Sequence, residues 1–212
     1  MGIIERKERE KEQRQSDLID AAERVFFSKG FALSTMDDVA EEAEFSKGTL
    51  YLYFKNKEDL YFAITARGLK ILATMFQEAR NQQNTGLDQV MAMGRAYVQF
   101  SKQHRNYFEA LAYYDLKKIN AEDMSSFSQS CHNLGQETLT LLIEAISFGI
   151  SDQTINQDTD PQKTAIMLWG ATTGLIQLLY TKGEHMQWNH DLDIKDLISN
   201  YFFEFMKRSL KG

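Results

Sequence analysis

The scarcity of residues that interrupt helices is the feature that most limits how this chain can fold. One proline and twelve glycines are spread over 212 residues. The stretches between them are rich in Leu, Ala, Glu, Gln, Lys and Met, which are strong helix formers. No alternation of apolar and polar residues is long enough to predict a strand. The sequence therefore predicts an all-α protein.

Composition restricts the class of protein further. Because 43% of the residues are hydrophobic, the chain can bury one large core or two joined cores. Its single cysteine, Cys131, excludes an internal disulfide, favours a reducing compartment and is expected to be a buried small apolar residue. The amino terminus lacks the apolar segment of a secretory signal, and residues 165–180 are too short and too polar to span a bilayer. We therefore expect a soluble, cytoplasmic protein.

The first 60 residues predict a small head of short helices. Residues 1–15 alternate bases with acids, which is typical of a solvated helical extension; a basic arm that follows a nucleic-acid groove is the alternative. A first helix is predicted from an N-cap at Ser16 to a stop at Gly30. Three further helices are predicted to start at capping residues, namely Thr35, Ser46 and Asn56.

The fourth of these helices is predicted to connect the head to a larger helical body. It carries apolar residues from Leu60 to Phe76 and ends at a polar break, Asn81–Gly86, which marks the boundary of the head with its connector. We expect an extension (residues 1–15), a head (16–61) and a body (62–212) that includes the connector. Further helices are predicted at residues 87–103, 106–116, 121–148, 161–182 and 192–210.

The stretch from Phe45 to Lys57 contains no carboxylate, although the whole chain carries a net charge of −6. Two short helices meet here at a tight turn, residues 44–46, with the spacing of a helix-turn-helix. Leu50 and Phe54 are the residues that a core would take from the second helix, so its other side chains face outward. DNA fits this surface, because a carboxylate there would repel the phosphates.

The outward residues of this second helix divide into two predicted roles. Lys47 and Thr49 are placed to reach base edges or phosphates, where Gly48 allows close backbone approach. Ser46, Tyr53 and Lys57 are predicted to hold phosphates, and Tyr51 faces the same surface. Residues 1–60 carry 10 Lys or Arg against 14 Asp or Glu, so only the local surface favours DNA. The alternative is that the tyrosines pack on the connector while the lysines keep the turn soluble.

Residues 17–61 resemble the amino-terminal domain of the TetR family of transcriptional regulators. The shared pattern is a Gly30-Phe31 turn, a helix opened by Thr35, the sequence SKGTLY from Ser46 and the sequence FKNKE from Phe54. The resemblance implies a dimeric DNA-binding repressor whose carboxy-terminal body binds a small inducer. It also implies phosphate contacts and groove-facing positions, at Thr35, Ser46, Tyr53 and Lys57 and at Lys47, Gly48 and Thr49 respectively. Glu44 stands where such turns commonly have Gly, and Phe45 replaces a small aliphatic residue.

Two apolar helices near the carboxy terminus predict an interface between two copies of the chain. Residues 165–180 are apolar around most of the helix circumference, and the last helix adds more apolar surface. A homodimer suits a palindromic operator, because both have twofold symmetry. The residues predicted at this interface are Gly170, Gly174, Leu178, Ile194, Leu197, Ile198, Tyr201, Phe202 and Phe205.

Aromatic and methionine side chains in the body predict a pocket for a small molecule. Such side chains suit an aromatic or amphipathic effector, although most of them are expected to be ordinary core. The candidate lining residues are Met93, Tyr97, Phe100, Tyr107, Phe108, Tyr114, Phe127, His132, Trp169, Thr173 and Gln177.

Patterns typical of enzymes are missing from the sequence. The four histidines form no metal-binding H-E-x-x-H motif, and neither a G-x-S-x-G elbow nor a glycine-rich phosphate loop occurs. We therefore expect no catalysis, cofactor or resident metal; a transition-metal site at His185 and His190, in a predicted loop, is the alternative. Two other functions stay open: a helical adaptor that binds protein, and a small-molecule carrier or enzyme with a vestigial head.

Overall fold

The part of the chain that the structure describes consists of helices and the turns between them. The computed structural model describes residues 2–117, 124–190 and 196–211. Within these ranges the α-helices are α1 (Ile3–Lys29), α2 (Met36–Glu42), α3 (Lys47–Tyr53), α4 (Lys57–Asn81), α5 (Gly86–Gln103), α6 (Arg105–Leu116), α7 (Ser126–Ser151), α8 (Pro161–His190) and α9 (Phe202–Lys211). A π-helical turn, Leu197–Tyr201, leads into α9. The same ranges contain no strand, which confirms the all-α prediction.

Local capping contacts begin α2 and α3. The Thr35 hydroxyl accepts the Asp38 N–H at 3.1 Å, and the Asp38 carboxylate accepts the Thr35 N–H at 2.8 Å. This reciprocal arrangement is a capping box. The Ser46 hydroxyl accepts the Thr49 N–H at 3.1 Å. The predicted helix starts at Thr35 and Ser46 are therefore confirmed.

The first helix ends where the sequence predicts but starts earlier. It stops before Gly30, whose φ of +80° lies in a region that glycine adopts without strain. It begins at Ile3, because residues 1–15 are rich in Glu, Lys and Arg and continue the helix. The predicted N-cap at Ser16 is therefore wrong, and the Ser16 hydroxyl instead accepts a hydrogen bond from the Arg67 guanidinium at 3.0 Å.

The later helices match the sequence-based ranges closely at α5 and α6 and less closely elsewhere. α7 is Ser126–Ser151 where the sequence predicts residues 121–148, and the predicted starts at residues 121 and 192 lie outside the described residues. α5 and α6 each begin one residue before the predicted start. α8 continues to His190, so the loop predicted at His185 and His190 is wrong. Residues 183–190 contain a single glycine and no proline, which is too weak an interruption to end a helix. Within the described ranges, no helix has both the length and the apolar character needed to cross a membrane.

Residue contacts divide the chain into two compact units. Unit 1 comprises Met1–Leu69 and Asn106–Asn133, and unit 2 comprises Lys70–Arg105 and Leu134–Gly212. α4 and α7 each contribute residues to both units. α6 therefore groups with the amino-terminal helices, whereas the sequence-based boundary after residue 61 places it in the body. That boundary stays a prediction.

A hydrophobic core holds the helices of unit 1 together. Leu50 and Phe54 are both inaccessible to solvent, and they lie in a core with Leu18, Val39 and Ile64 of α1, α2 and α4. The Phe54 ring also stacks on Phe127 with 5.1 Å between ring centres. This packing fixes the orientation of α3 and leaves most of its other side chains outside the core.

Cys131 belongs to the same unit and is fully buried, as the sequence predicts. Its thiol donates a hydrogen bond to the Phe62 carbonyl oxygen at 3.1 Å. Burial raises the pKa of the thiol to about 12. Cys131 is therefore an uncharged, unreactive core residue at neutral pH.

Unit 2 is organised around a close approach of α5 and α7. A Cβ atom added to Gly86 would lie 2.0 Å from the Gly149 nitrogen, so the two backbones touch. The Gly86 N–H donates to the Asp152 carboxylate at 2.7 Å, and the Leu87 N–H donates to the Thr154 hydroxyl at 3.1 Å. These contacts fix the start of α5 against the end of α7.

Candidate nucleic-acid interface and effector cavity

The outward face of α3 carries most of the side chains that the sequence predicts at a DNA surface. Lys47, Gly48 and Tyr51 are exposed, whereas Thr49 is half-buried. Tyr53 is half-buried and packs against the core of unit 1, so its ring is anchored. The face therefore offers a cation, an open backbone position at Gly48 and hydroxyl groups, which are the groups that contact base edges and phosphates.

Lys47 is engaged by an acidic residue of α2. Its Nζ lies 2.6 Å from Oδ1 of Asp37, and the two side chains are 58% and 65% exposed. The hydrogen bond to Asp37 raises the pKa of Lys47. The contact joins the first turn of α2 to the first turn of α3.

Lys57 is directed at the loop between α1 and α2. Its Nζ donates to the Phe31 and Ser34 carbonyl oxygens at 2.8 and 2.9 Å and lies 3.5 Å from the Ala32 carbonyl oxygen. The same ammonium lies 4.4 Å from the centre of the Phe31 ring. A phosphate at Lys57 would have to compete with these carbonyl groups, so the predicted phosphate contact stays a prediction.

Thr35 lies exposed at the cap of α2. Its capping partner Asp38 also pairs with Lys29, with 2.7 Å between Nζ and Oδ1. The Lys29 ammonium, followed by the Thr35 N–H and hydroxyl, lowers the pKa of Asp38 to about 2. Asp38 therefore stays ionised at neutral pH and holds the cap.

The turn between α2 and α3 contains the first departure from the family pattern noted in the sequence. Glu44 has a φ of +56°, in the left-handed region that favours glycine. Its N–H donates to the Glu41 carbonyl at 3.0 Å, and the Phe45 N–H donates to the Ala40 carbonyl at 3.0 Å. Phe45 is half-buried against the core, so the larger side chain is accommodated.

An aromatic cluster that the sequence analysis missed lies behind this surface. Phe31 stacks on Tyr61 at 4.4 Å and contacts Tyr113 at 5.0 Å between ring centres. The Tyr113 hydroxyl donates to the Glu58 carboxylate at 2.9 Å, and Lys117 lowers the pKa of Glu58 through a second hydrogen bond. The loop after α1, the start of α4 and the end of α6 are thus joined.

Unit 2 contains an apolar cavity lined by residues of α4, α5, α7, α8 and α9. The cavity has a volume of about 30 Å³, so the lining side chains leave little free space inside it. Trp169 stacks on Tyr97 at 4.9 Å, and the Tyr97 and Thr173 hydroxyl oxygens lie 3.0 Å apart. The lining residues are Phe76, Val90, Met91, Met93, Gly94, Tyr97, Leu142, Leu168, Trp169, Thr172, Phe202, Phe203 and Met206.

The structure separates the residues that the sequence groups in one pocket. Met93, Tyr97 and Trp169 line the cavity, and Thr173 joins it through Tyr97. Phe100 and Gln177 lie in unit 2 but outside the lining. The remaining candidates all fall in unit 1, namely Tyr107, Phe108, Tyr114, Phe127 and His132. The sequence analysis missed the lining residues of α4, α7 and α9, because their helical spacing marks them only as apolar.

α8, α9 and the π-helical turn before α9 expose large apolar side chains. Met167 is 72% exposed and Tyr201 is 65% exposed, and Ile166, Leu178 and Phe205 are exposed as well. Cβ atoms added to Gly170 or Gly174 would meet nothing within 4 Å. Among the other predicted interface residues, Leu197 is half-buried, Ile198 is buried, Phe202 lines the cavity, and Ile194 lies outside the described residues.

Two protein-family descriptions match the chain, one in its amino-terminal part and one in its carboxy-terminal part. The family described as "Bacterial regulatory proteins, tetR family" matches residues 18–64. The family described as "Tetracyclin repressor-like, C-terminal domain" matches residues 90–199, which is more than half of the chain. The chain belongs to the TetR family. It is a helix-turn-helix, DNA-binding transcription regulator of that family.

Individual TetR-family relatives resemble the chain to different extents. The transcriptional regulator YfiR of Bacillus subtilis is 48% identical over 59 residues, which is 28% of this chain and 29% of YfiR. The matched stretch thus spans less than a third of that relative. The transcriptional regulator YhgD of the same organism is 28% identical over 156 residues, covering 73% of this chain and 78% of YhgD.

Solved structures of TetR-family proteins share the fold of the whole chain. FadR from Bacillus subtilis, described in complex with stearoyl-CoA, superposes with a TM-score of 0.71 at 20% sequence identity. The superposition covers 92% of this chain and 98% of FadR. The helical fold is therefore shared even where the sequences have diverged.

Proposed function

We propose that this TetR-family regulator is a homodimeric repressor that an aromatic or amphipathic small molecule releases from a palindromic operator. The observation that carries the proposal is the outward face of α3. Leu50 is buried, the other α3 side chains lie partly or fully outside the core, and residues 45–57 contain no carboxylate. A short helix anchored in this way can enter a major groove with its amino-terminal residues.

The proposed contacts divide between bases and phosphates. Lys47, Gly48 and Thr49 are proposed to face the groove, with Tyr51 beside them. Thr35, Ser46 and Tyr53 are proposed to contact phosphates through their hydroxyls, together with Lys57 if it exchanges its carbonyl partners. Two copies of α3 in a dimer would then bind successive major grooves about 34 Å apart.

The exposed apolar faces of α8 and α9 support the homodimer. Met167, Tyr201 and Phe205 are large apolar side chains, and each is more than half exposed. Soluble monomers rarely expose several such side chains in one region. A second copy would cover them through a twofold interface. Phe205→Glu should therefore shift the protein from dimer to monomer in sedimentation, whereas Glu204→Gln, at the neighbouring exposed position, should leave the dimer intact.

The apolar cavity of unit 2 supports an effector with little charge on its buried part. Its lining side chains are apolar apart from Thr172 and Tyr97, and the Thr172 hydroxyl already donates to the Leu168 carbonyl at 2.7 Å. Because only about 30 Å³ is free, a ligand has to move the lining side chains apart. The structure described for FadR with stearoyl-CoA is an example of an amphipathic ligand in a protein of this fold.

Release of DNA would follow from a difference in affinity between two conformations. An effector shifts the equilibrium only if it binds one conformation better than the other. We propose that the effector-bound conformation holds the two copies of α3 at a separation that no longer matches successive grooves. An effector that lowers operator affinity should, by linkage, bind more weakly when operator is present.

Affinity selection of genomic DNA fragments tests the proposal directly. The wild type is compared with a Lys47→Ala/Tyr53→Phe double variant, which removes one cation and one hydroxyl but keeps the packed ring. Lys102→Ala, an exposed position on α5, is the charge-matched control. We expect the wild type and the control to recover the same few palindromic sites, with steep loss of binding at high salt, and the double variant to recover none. Equal recovery by all three proteins would refute the assignment, and binding to protein that survives high salt would favour an adaptor.

A further inference from the structure

Asp37 and Lys47 form an ion pair on the proposed DNA surface. Asp37 is the second residue of α2 and Lys47 is the first residue of α3, and their charged atoms lie 2.6 Å apart. Both side chains are more than half exposed, so the pair is accessible from solvent. The cation that is proposed to face the groove therefore already has a partner within the protein.

The capping contacts at the start of α2 do not use the Asp37 carboxylate. Asp38 closes the capping box with Thr35 and also binds Lys29. In the proposed complex, a carboxylate on this surface would weaken the attraction between the protein and the DNA phosphates. The contact of Asp37 that bears on this surface is its ion pair with Lys47.

A held lysine and a free lysine behave differently near DNA. Lysine is a point charge on a flexible four-carbon stem, so a free lysine can reach phosphates on any sequence. Its ammonium has three N–H donors, so a lysine that gives one to Asp37 keeps two for acceptors on base edges. Holding the ammonium at one position thus limits phosphate contacts more than base contacts.

We propose that Asp37 is a positioning residue that makes Lys47 read base edges instead of phosphates, and that it thereby sets the preference for operator over random DNA. This inference rests on the proposed function, since it assumes that α3 enters a major groove. It assigns the preference to a carboxylate that is not itself required to touch DNA.

The test compares Asp37→Asn with Glu42→Gln. Glu42 is also an exposed acid of α2 and is also paired, with Arg24 at 2.5 Å, so both variants remove one negative charge from one ion pair of the same helix. Only Asp37→Asn frees Lys47. Affinity for a selected operator and for a random duplex of equal length is measured by fluorescence anisotropy over a salt series.

We expect Asp37→Asn to bind random DNA about fivefold more tightly per protomer at physiological salt, because the freed lysine gains one phosphate contact. The slope of log affinity against log salt should steepen by about 0.9 per protomer. Affinity for the operator should stay unchanged or fall. The ratio of operator affinity to random-DNA affinity should therefore decrease. Glu42→Gln should change both affinities slightly and equally. Asp37→Glu, which keeps the carboxylate, should retain most of the wild-type ratio.

Lys47→Ala in two backgrounds adds a second readout. On random DNA it should have little effect in the wild type but should cancel the gain of Asp37→Asn. Equal gains on operator and random DNA in Asp37→Asn, or an equal gain in Glu42→Gln, would show that Asp37 acts only as a negative charge and would overturn the inference. A wild type without any operator preference would instead contradict the proposed function.

Discussion

Unit 1 joins its helices through ion pairs, caps and an aromatic cluster, whereas unit 2 leaves large apolar side chains exposed along α8 and α9. In unit 1, Lys47 and Lys57 already have partners within the protein. In unit 2, Met167 and Phe205 are exposed and a cavity lies within the core. Unit 1 also exposes large apolar side chains, at Leu33, Leu52 and Leu116, but they lie on three different segments. The difference indicates that unit 1 offers paired polar groups to a charged partner, while unit 2 exposes apolar side chains along its last helices.

The largest expected effect separates a core phenylalanine from an exposed one. Phe54→Ala should lower the free energy of unfolding of unit 1 by about 3–5 kcal/mol, because Phe54 is fully buried and stacks on Phe127. Phe205→Ala should change protomer stability by less than about 0.5 kcal/mol but weaken self-association. Urea unfolding monitored by circular dichroism, with sedimentation at several concentrations, measures both. Equal loss of stability in the two variants would remove the distinction between the units.

Two glycines of unit 2 should respond in opposite directions. Gly86→Ala should destabilise the protein by about 3 kcal/mol or more, because its Cβ would lie 2.0 Å from the Gly149 nitrogen and a backbone would have to move. Gly135→Ala should stabilise the protein by up to about 1 kcal/mol, since nothing lies within 4 Å of the added Cβ and alanine favours the helix. Thermal unfolding gives both values. A neutral Gly86→Ala would show that α5 and α7 are not in contact.

Replacement of Lys57 tests whether its hydrogen bonds to the loop between α1 and α2 stabilise unit 1. Lys57→Met should lower the free energy of unfolding by about 1–2 kcal/mol, because hydrogen bonds from the ammonium to the Phe31 and Ser34 carbonyls are lost. Lys55→Met, two residues away and exposed, should have almost no effect. The competing role as a phosphate contact predicts unchanged stability together with a salt slope reduced by about 1 per protomer.

The smallest expected effect is a gain at the turn between α2 and α3. Glu44→Gly should raise the free energy of unfolding by about 0.5–1 kcal/mol, because glycine adopts the φ of +56° without strain. Glu44→Gln removes the charge but keeps the strained backbone, and it should give no such gain. If the two variants were equally stable, the φ of Glu44 would not be the cause.

Local signals in the sequence were enough to place most helix ends. Thr35 with Asp38 and the Ser46 cap act within three residues, and Gly30 needs only its own φ. Their partners are neighbours in the chain, so spacing alone identifies them. The same approach failed at Ser16, because helix-forming residues on both sides outweigh a possible cap.

Contacts between distant segments could not be predicted from the sequence. The partners of Lys57 lie at Phe31 and Ser34 in the preceding loop, and Asp37 reaches Lys47 across a turn. Helical spacing identifies apolar faces but does not say which faces meet. Tyr97 and Tyr107 therefore read alike in the sequence, although the first lines the cavity of unit 2 and the second lies in unit 1.

The buried thiol of Cys131 is a natural probe for local unfolding of unit 1. No other cysteine competes for a labelling reagent, and the sulfur is covered where it meets the Phe62 carbonyl. A thiol reagent can therefore react only when α7 and α4 separate at this point. The labelling rate thus measures how often this opening occurs. Comparing that rate with and without operator or effector would time the motions of the DNA-binding end in the native chain, without an engineered probe.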